Sequence, residues 1–311
     1  MPGAAHEAQV LVVGEALMDV VMAAGVPTAH PGGSPANVAV GLARLGCRTS
    51  LLTALGRDVL GVALERHFQD EGVRLFPGSI REDEPTSSAT VALDADGAAT
   101  YHFDVRWSLP EQDLDQHFDL LHTGSIAAFL APGASTVRRL FERARPSTLL
   151  SFDPNIRPQL LPERADTVKA FHAMADLVDI VKLSDEDAAW LWPGRDVHTV
   201  LDELLARGAG LIVITRGAQG ALLATGVHRC DLPAAPTTVK DTVGAGDSYM
   251  AALLSLIIGA GRLPRDHQEL KTLGTTAARA AAITVSRAGA QPPTSQELHR
   301  LRAPHVGSGK A

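Results

Sequence analysis

Short runs of aliphatic and β-branched residues alternate with longer segments of helical periodicity along most of the chain. Val10–Val13, Ser50–Thr53, Leu120–His122, Thr148–Phe152, Ile180–Leu183 and Leu211–Thr215 have the length and character of buried strands. Ala36–Leu45 repeats Val38, Leu42 and Leu45 at i, i+4 and i+7, which predicts a helix. Alternation of this kind predicts an α/β fold, a mostly parallel sheet covered by helices on both faces. Ligands of such sheets bind beyond the carboxyl ends of the strands. The segments that follow the strand candidates are therefore where chemistry is expected.

One region breaks the rhythm. Ser88–Leu93 and Thr100–Val105 flank the turn Asp94-Ala95-Asp96-Gly97, which predicts a β-hairpin within residues 85–107. An antiparallel insert in a parallel protein reads either as a flap near the ligand or as an ordinary edge hairpin. Pattern alone leaves both open.

Composition narrows the function classes. The 311 residues are 45% hydrophobic and 20% charged, which fits a globular chain long enough for one large α/β domain or two modest ones. A net charge of −7 without a Lys/Arg cluster argues against nucleic acid or an anionic membrane as partner. It leaves phosphorylated ligands open, because a few backbone amides can hold a phosphate inside an acidic protein. Cys47 and Cys230 are far apart and lack metal-ligand spacing, as expected of free thiols in a reducing cytoplasm. Val10–Val13 is too short for a membrane span and lacks the basic flank of a signal peptide.

The most informative segment is Asp241-Thr242-Val243-Gly244-Ala245-Gly246-Asp247-Ser248, which runs into Tyr249–Ile258, apolar on every side. Gly244, Ala245 and Gly246 then stand at a loop-to-helix junction, where free amides and the helix dipole make an anion site. Asp247 falls in the first turn. It either caps the helix or acts as a general base on a hydroxyl that attacks a phosphoryl group. Further upstream, Gly32-Gly33-Ser34-Pro35-Ala36-Asn37 opens the helix Ala36–Leu45. Ser34 is the expected N-cap, with Pro35 at the first helical position. Asn37 has the donor and acceptor needed to read sugar hydroxyls, although a well-capped helix alone would look the same.

These two segments, with Gly46 and Gly56 after the first, resemble the two signature patterns of the PfkB carbohydrate kinases, the ribokinase-like family. The resemblance spans the chain from Gly14-Glu15-Ala16-Leu17-Met18-Asp19 to Gly289-Ala290-Gln291-Pro292. It implies a three-layer sandwich with a small β lid: one kinase domain over 1–303, lid segments at about 19–31 and 85–107, and a flexible tail at 304–311. It also implies transfer of the γ-phosphate of ATP with Mg²⁺, Asp247 acting as base beside the amides of Gly244 to Gly246. Asp19, Gly32, Gly33 and Asn37 would hold the sugar, and Arg157, from Asp153-Pro154-Asn155-Ile156-Arg157-Pro158, substrate or phosphate.

The nucleotide side is implied in the same way. Lys182 and Ser184 open the counterpart of the family's Asn-x-x-Glu element, which organises magnesium, in part through water. Here Ser184 replaces Asn and Asp187 replaces Glu, so that Glu186 and Asp187 are both candidates for the working acid. Thr215, Gly217 and Gly220 match the nucleotide-phosphate turn. Gly289 lies in the loop near the adenine, which with Asp241 shapes a monovalent-cation site in some members, so K⁺ is a further expected ligand.

Gly14–Asp19, Gly32–Asn37 and Asp153–Arg157 look most like fructokinases, which implies fructose as acceptor and fructose 6-phosphate as product. 2-Keto-3-deoxygluconate, ribose and a nucleoside are the alternatives within the family, and a sugar-sensing protein the alternative outside it. The resemblance also implies a homodimer formed through the lid as an expected partner. Gly307-Ser308-Gly309-Lys310 is no P-loop, since Pro304 stands at the required upstream Gly and Ala311 is neither Ser nor Thr. The twelve histidines lack zinc spacing. His122 is expected to end a strand, and Trp190 and Trp192 to pack.

Overall fold

The first apolar run forms strand β1 (Gln9–Val13), and its residues leave it alternately in opposite directions. Val10 and Val12 join one buried cluster and Leu11 and Val13 another, because helices cover both faces of the sheet. The computed structural model describes residues 8–23, 26–93, 99–111, 113–114 and 116–300.

After β1 come β2 (Leu17–Ala23), β3 (Val26–Gly32), α1 (Ser34–Arg44), β4 (Arg48–Leu52), β5 (Leu55–Gly56), α2 (Val59–Asp70), β6 (Arg74–Leu75) and β7 (Ile80–Arg81). The middle of the chain holds β8 (Ser88–Leu93), β9 (Ala99–Asp104), β10 (Leu120–Gly124), α3 (Gly133–Ala144), β11 (Leu149–Asp153), α4 (Arg164–Ala175), β12 (Ile180–Ser184), α5 (Asp185–Leu191) and α6 (Val197–Ala206). The last third holds β13 (Leu211–Thr215), β14 (Ala221–Ala224), β15 (Arg229–Leu232), α7 (Ala245–Ala260), α8 (His267–Val285) and α9 (Ser295–Arg300).

Nine strands form the central sheet in the order β15-β14-β13-β12-β11-β10-β1-β4-β6. All neighbours are parallel except at one edge, where β14 pairs antiparallel with both β13 and β15. Side chains of α1, α2, α7 and α8 pack one face (Val38, Leu64, Leu253, Ala277), and those of α3 to α6 the other (Phe141, Phe171, Leu191, Leu204). The result is the three-layer α/β sandwich expected from the alternation.

A second sheet, ordered β3-β2-β8-β9, supplies the lid. The expected hairpin is its β8–β9 pair, antiparallel from Ser88↔Asp104 to Leu93↔Ala99, and β2 binds it in parallel. Leu17, Asp19, Ala89 and Phe103 of this sheet line the main cleft, which favours the flap over the plain edge hairpin. The expected turn Asp94–Gly97, the tail 304–311 and its Gly-Ser-Gly-Lys run lie outside the described residues.

His122 does not end its strand. It is buried within β10, where its Nδ1 lies 2.9 Å from Ser151 Oγ. Among the described residues, no helix is long and apolar enough to cross a membrane, and both cysteines are free.

Candidate active site

Asp247 is the third residue of α7, whose N-cap is Gly244. Gly244 has a φ of 75°, and a Cβ there would fall 2.6 Å from that of Ala290. Conformation and space both require glycine. The first-turn amides lack intrahelical partners at the positive end of the dipole, and no side chain caps them; Ala245 N makes one long bond, to Thr242 O at 3.3 Å. Such an end binds anions.

The Asp247 carboxyl does not serve as that cap. It is buried and turned toward α1, where Ser34 Oγ donates to Oδ1 at 2.7 Å and Asn37 Nδ2 donates to Oδ2 at 2.8 Å. Ser34 and Asn37 are three residues apart and therefore share a helix face. Here the structure corrects the reading of Ser34 as N-cap. The helix begins at Ser34, Gly33 is the cap, and no side-chain cap bond forms. Gly33 has a φ of 103°, and a Cβ on it would meet Glu15 O at 2.5 Å. Asn37 likewise faces the carboxylate with its amide nitrogen, where the sequence suggested sugar hydroxyls alone.

Burial raises the Asp247 pKa, and the bonds from Ser34 and Asn37 with the charges of Lys182 and Arg157 oppose the rise. A buried carboxylate supported by two donors and two cations can accept a proton from a hydroxyl placed against it.

The cleft around this pair has a volume of about 1070 Å³, enough for two ligands side by side. Its walls come from the strand tips, as expected of a parallel sheet. Glu15 follows β1, Ser125 follows β10, Asn155 and Arg157 follow β11, Lys182 lies within β12 and Ser184 ends it, and Thr215 ends β13. Asp19 reaches in from the lid; burial raises its pKa, while His30 and Arg157 lower it. Thr237, Val239, Ala281, Ala282 and Val285 add a mainly small, apolar stretch of wall, suited to a flat aromatic base. Thr237 Oγ1 ties this wall together by donating to Ala282 O at 2.9 Å.

Beneath the α7 amides runs a buried ion pair. Lys182 Nζ donates to Asp153 Oδ2 at 2.5 Å, with side-chain exposures of 4% and 2%. The ammonium lies 3.4 Å from the place a Cβ on Gly246 would occupy, which sets a fixed positive charge behind the anion site. Burial pushes Asp153 up to about 6 against the pull of Lys182.

Of the two acids proposed for magnesium, Asp187 has a structural task. Its Oδ2 accepts from Ser184 N and its Oδ1 from Ile156 N, at 2.8 and 2.7 Å, and Ser184 Oγ accepts from Asp187 N at 2.9 Å. This capping box holds α5 and the β11 loop together. Glu186, next to it, is exposed at the cleft. Among the described residues, no cluster of three or more His, Cys, Asp or Glu forms a metal cage. The donors present fit an ion carried in by phosphate oxygens and met by one carboxylate and water.

Asp19, Gly33, Asn37, Arg157, Lys182, Ser184, Glu186, Asp187, Thr215, Gly217, Gly220 and Gly244 to Asp247 all line the cleft. Gly32, Asp241 and Gly289 do not. A Cβ on Gly32 would strike Asp19 Oδ2 at 2.2 Å, so this glycine makes room for a wall residue. Asp241 links two loops by accepting from Val243 N at 3.0 Å and Gly289 N at 2.7 Å, bonds that hold its pKa below the usual carboxylate value. Trp190, expected only to pack, also lines the cleft. Sequence reasoning missed Glu15, Ser125 and Asn155 as wall residues. The one available signal was their place just after strands. Ser125 and Asn155 have φ values of 52° and 35°, unusual for non-glycine residues and common at working sites.

Comparison with known proteins shows the family. Residues 7–297 match the family described as pfkB family carbohydrate kinase. A fructokinase of Salmonella typhimurium is 33% identical over 304 residues, covering 94% of this chain and 99% of the relative. The crystal structure of a Xylella fastidiosa fructokinase with bound ATP superposes with a TM-score of 0.84 at 26% identity, covering 95% of this chain and 98% of that one. A Vibrio cholerae O395 fructokinase with fructose, ADP and calcium ion bound gives 0.78 at 26% identity, covering 94% and 98%.

Proposed function

The chain belongs to the pfkB family of carbohydrate kinases and is a sugar kinase, and from that premise we propose that it phosphorylates fructose on its primary 6-hydroxyl with ATP, Asp247 acting as the base. One observation carries the reading: a buried carboxylate, held by Ser34 and Asn37, faces a large cleft beside an uncapped helix N-terminus.

In this reading, Asp19 and Arg157 orient the sugar so that its hydroxyl lies against Asp247. The hydroxyl oxygen attacks the γ-phosphorus, its proton passes to Asp247, and the bond to the leaving ADP oxygen breaks. The amides of Gly244 to Gly246, backed by Lys182, stabilise the charge on the transferring oxygens. The wall of Thr237, Ala281, Ala282 and Val285 receives the adenine, and Thr215, Gly217 and Gly220 lie along the phosphates. When bound, Mg²⁺ neutralises phosphate charge, and Glu186 is the residue that would meet it. Closure of the lid would exclude water, which could otherwise accept the phosphoryl group. Two unpaired cysteines support a cytoplasmic setting, and K⁺ near Asp241 is retained as a proposed activator.

The direct test is ADP release with fructose, ribose, 2-keto-3-deoxygluconate, adenosine and tagatose, each with ATP, Mg²⁺ and K⁺. Fructose is expected to give the highest kcat/KM. A different leading sugar overturns the substrate assignment, and no stimulation by any sugar overturns the reading.

Gly244→Ala tests the anion site. It forces a side chain into the left-handed region and against Ala290, and so displaces the amides. A loss of about 10²–10³ in kcat is expected, with the sugar's affinity largely kept. Steady-state kinetics and sugar-binding calorimetry check this.

A further inference from the structure

Glu15 is a second buried carboxyl in the cleft, and the transfer just described gives it no part. It lies two residues beyond β1, is 4% exposed and shares the cavity with Asp247. Its Oε2 accepts from Ala127 N at 3.2 Å, and the Ser125 side chain also hydrogen-bonds to it. Ser125 has a φ of 52°, a conformation a serine keeps only when its surroundings hold it there.

The groups facing the two carboxyls differ. Asp247, on α7, has the donors Ser34 and Asn37 from α1, with Lys182 of β12 and Arg157 after β11 acting on its charge. Asp19, on β2, interacts with His30 and Arg157. Facing Glu15 are the Ser125 hydroxyl, the Ala127 amide and the negative charge of Asp247. Both carboxyls have donors, but only Asp247 has cations beside it; where two carboxyls share a low-dielectric cavity, the one near cations takes the charge and the other takes the proton.

We propose that Glu15 is a positioning residue of the phosphoryl-transfer site: as a neutral acid it leaves the negative charge of the pair on Asp247, and through Ser125 it holds the turn that walls the sugar. The inference rests on the sugar-kinase reading. Burial pushes Glu15 up to about 8, so it is protonated in neutral solution. At alkaline pH its ionisation sets a second negative charge against the base and the incoming phosphoryl group.

The test compares three proteins. Glu15→Leu is expected to lower kcat by about tenfold or more with the KM for ATP unchanged, and Glu15→Gln, which keeps the shape and a donor, to recover most of it. In the unaltered protein kcat should fall by about tenfold per pH unit above a limb near pH 8. Glu15→Gln should lack that limb.

Thermal unfolding gives a readout that needs no turnover. The folded-state pKa of Glu15 lies above its unfolded value, so its stabilising contribution is complete at low pH and is lost as pH rises toward about 8. The Tm of Glu15→Gln relative to the unaltered protein is therefore expected to rise from about pH 4.5 to about pH 8 and to level off above it. The same alkaline limb in Glu15→Gln, or a Tm difference flat with pH, overturns the proposal. If no sugar is phosphorylated at any pH, the functional reading fails, and the Tm difference still decides whether Glu15 is held as the acid.

Discussion

Replacing Asp247 with asparagine is expected to lower kcat by about 10²–10⁴-fold while the KM for the sugar changes little. The substitution keeps volume and removes only the ability to take a proton. An asparagine at 247 can still accept from Asn37 through its carbonyl oxygen and donate to Ser34, whose hydroxyl rotates to accept. The α1–α7 contact is therefore expected to survive, and an unchanged melting curve should show it. The pH dependence gives a second signature. The base must be ionised, so activity of the unaltered protein falls as pH drops through the Asp247 pKa, which burial places above the ordinary carboxylate value. Asp247→Asn should lose that acid limb along with most of its rate.

The second large effect is on stability. Lys182→Met leaves the Asp153 carboxyl buried without its cation, and losing one partner of a buried pair costs about 3–5 kcal/mol. Asp153 Oδ1 already has no hydrogen-bond partner among the described residues, so nothing nearby takes over. Urea unfolding should show the loss directly. Adding Asp153→Leu removes the stranded acid and is expected to restore most of the stability. It should not restore kcat, because Lys182 also lies behind Gly246 at the anion site. Recovery of both would reduce the pair to a structural element.

The layered fold was legible because six of the nine strands of the central sheet, β1, β4 and β10 to β13, are apolar runs of strand length. β6, β14 and β15 were not singled out; Arg74–Leu75 is only two residues long. Ala221–Ala224 is short, and Arg229–Leu232 alternates like any exposed edge. The Gly244–Asp247 segment was legible for a different reason: three small residues before an acid at a helix start have few structural uses. What the sequence hid was pairing across the chain. Ser34 looks like a helix cap, and only the packing of α1 on α7 turns it toward Asp247. Asp187 looks like a metal ligand until the backbone amide of Ile156, distant in sequence, is brought to it. Ser125 and Glu15 were hidden for the same reason, since no local pattern marks a serine that must adopt a left-handed turn.

The central claim, that Asp247 acts as a base and not as a nucleophile, is tested most directly by the stereochemical course at phosphorus. ATP made chiral at its γ-phosphoryl group with oxygen isotopes would be turned over with the sugar, and the configuration of the sugar phosphate determined. One displacement, from ATP directly to the hydroxyl, predicts inversion. Retention would mean two displacements through a phosphorylated carboxylate, and would contradict the role given to Asp247.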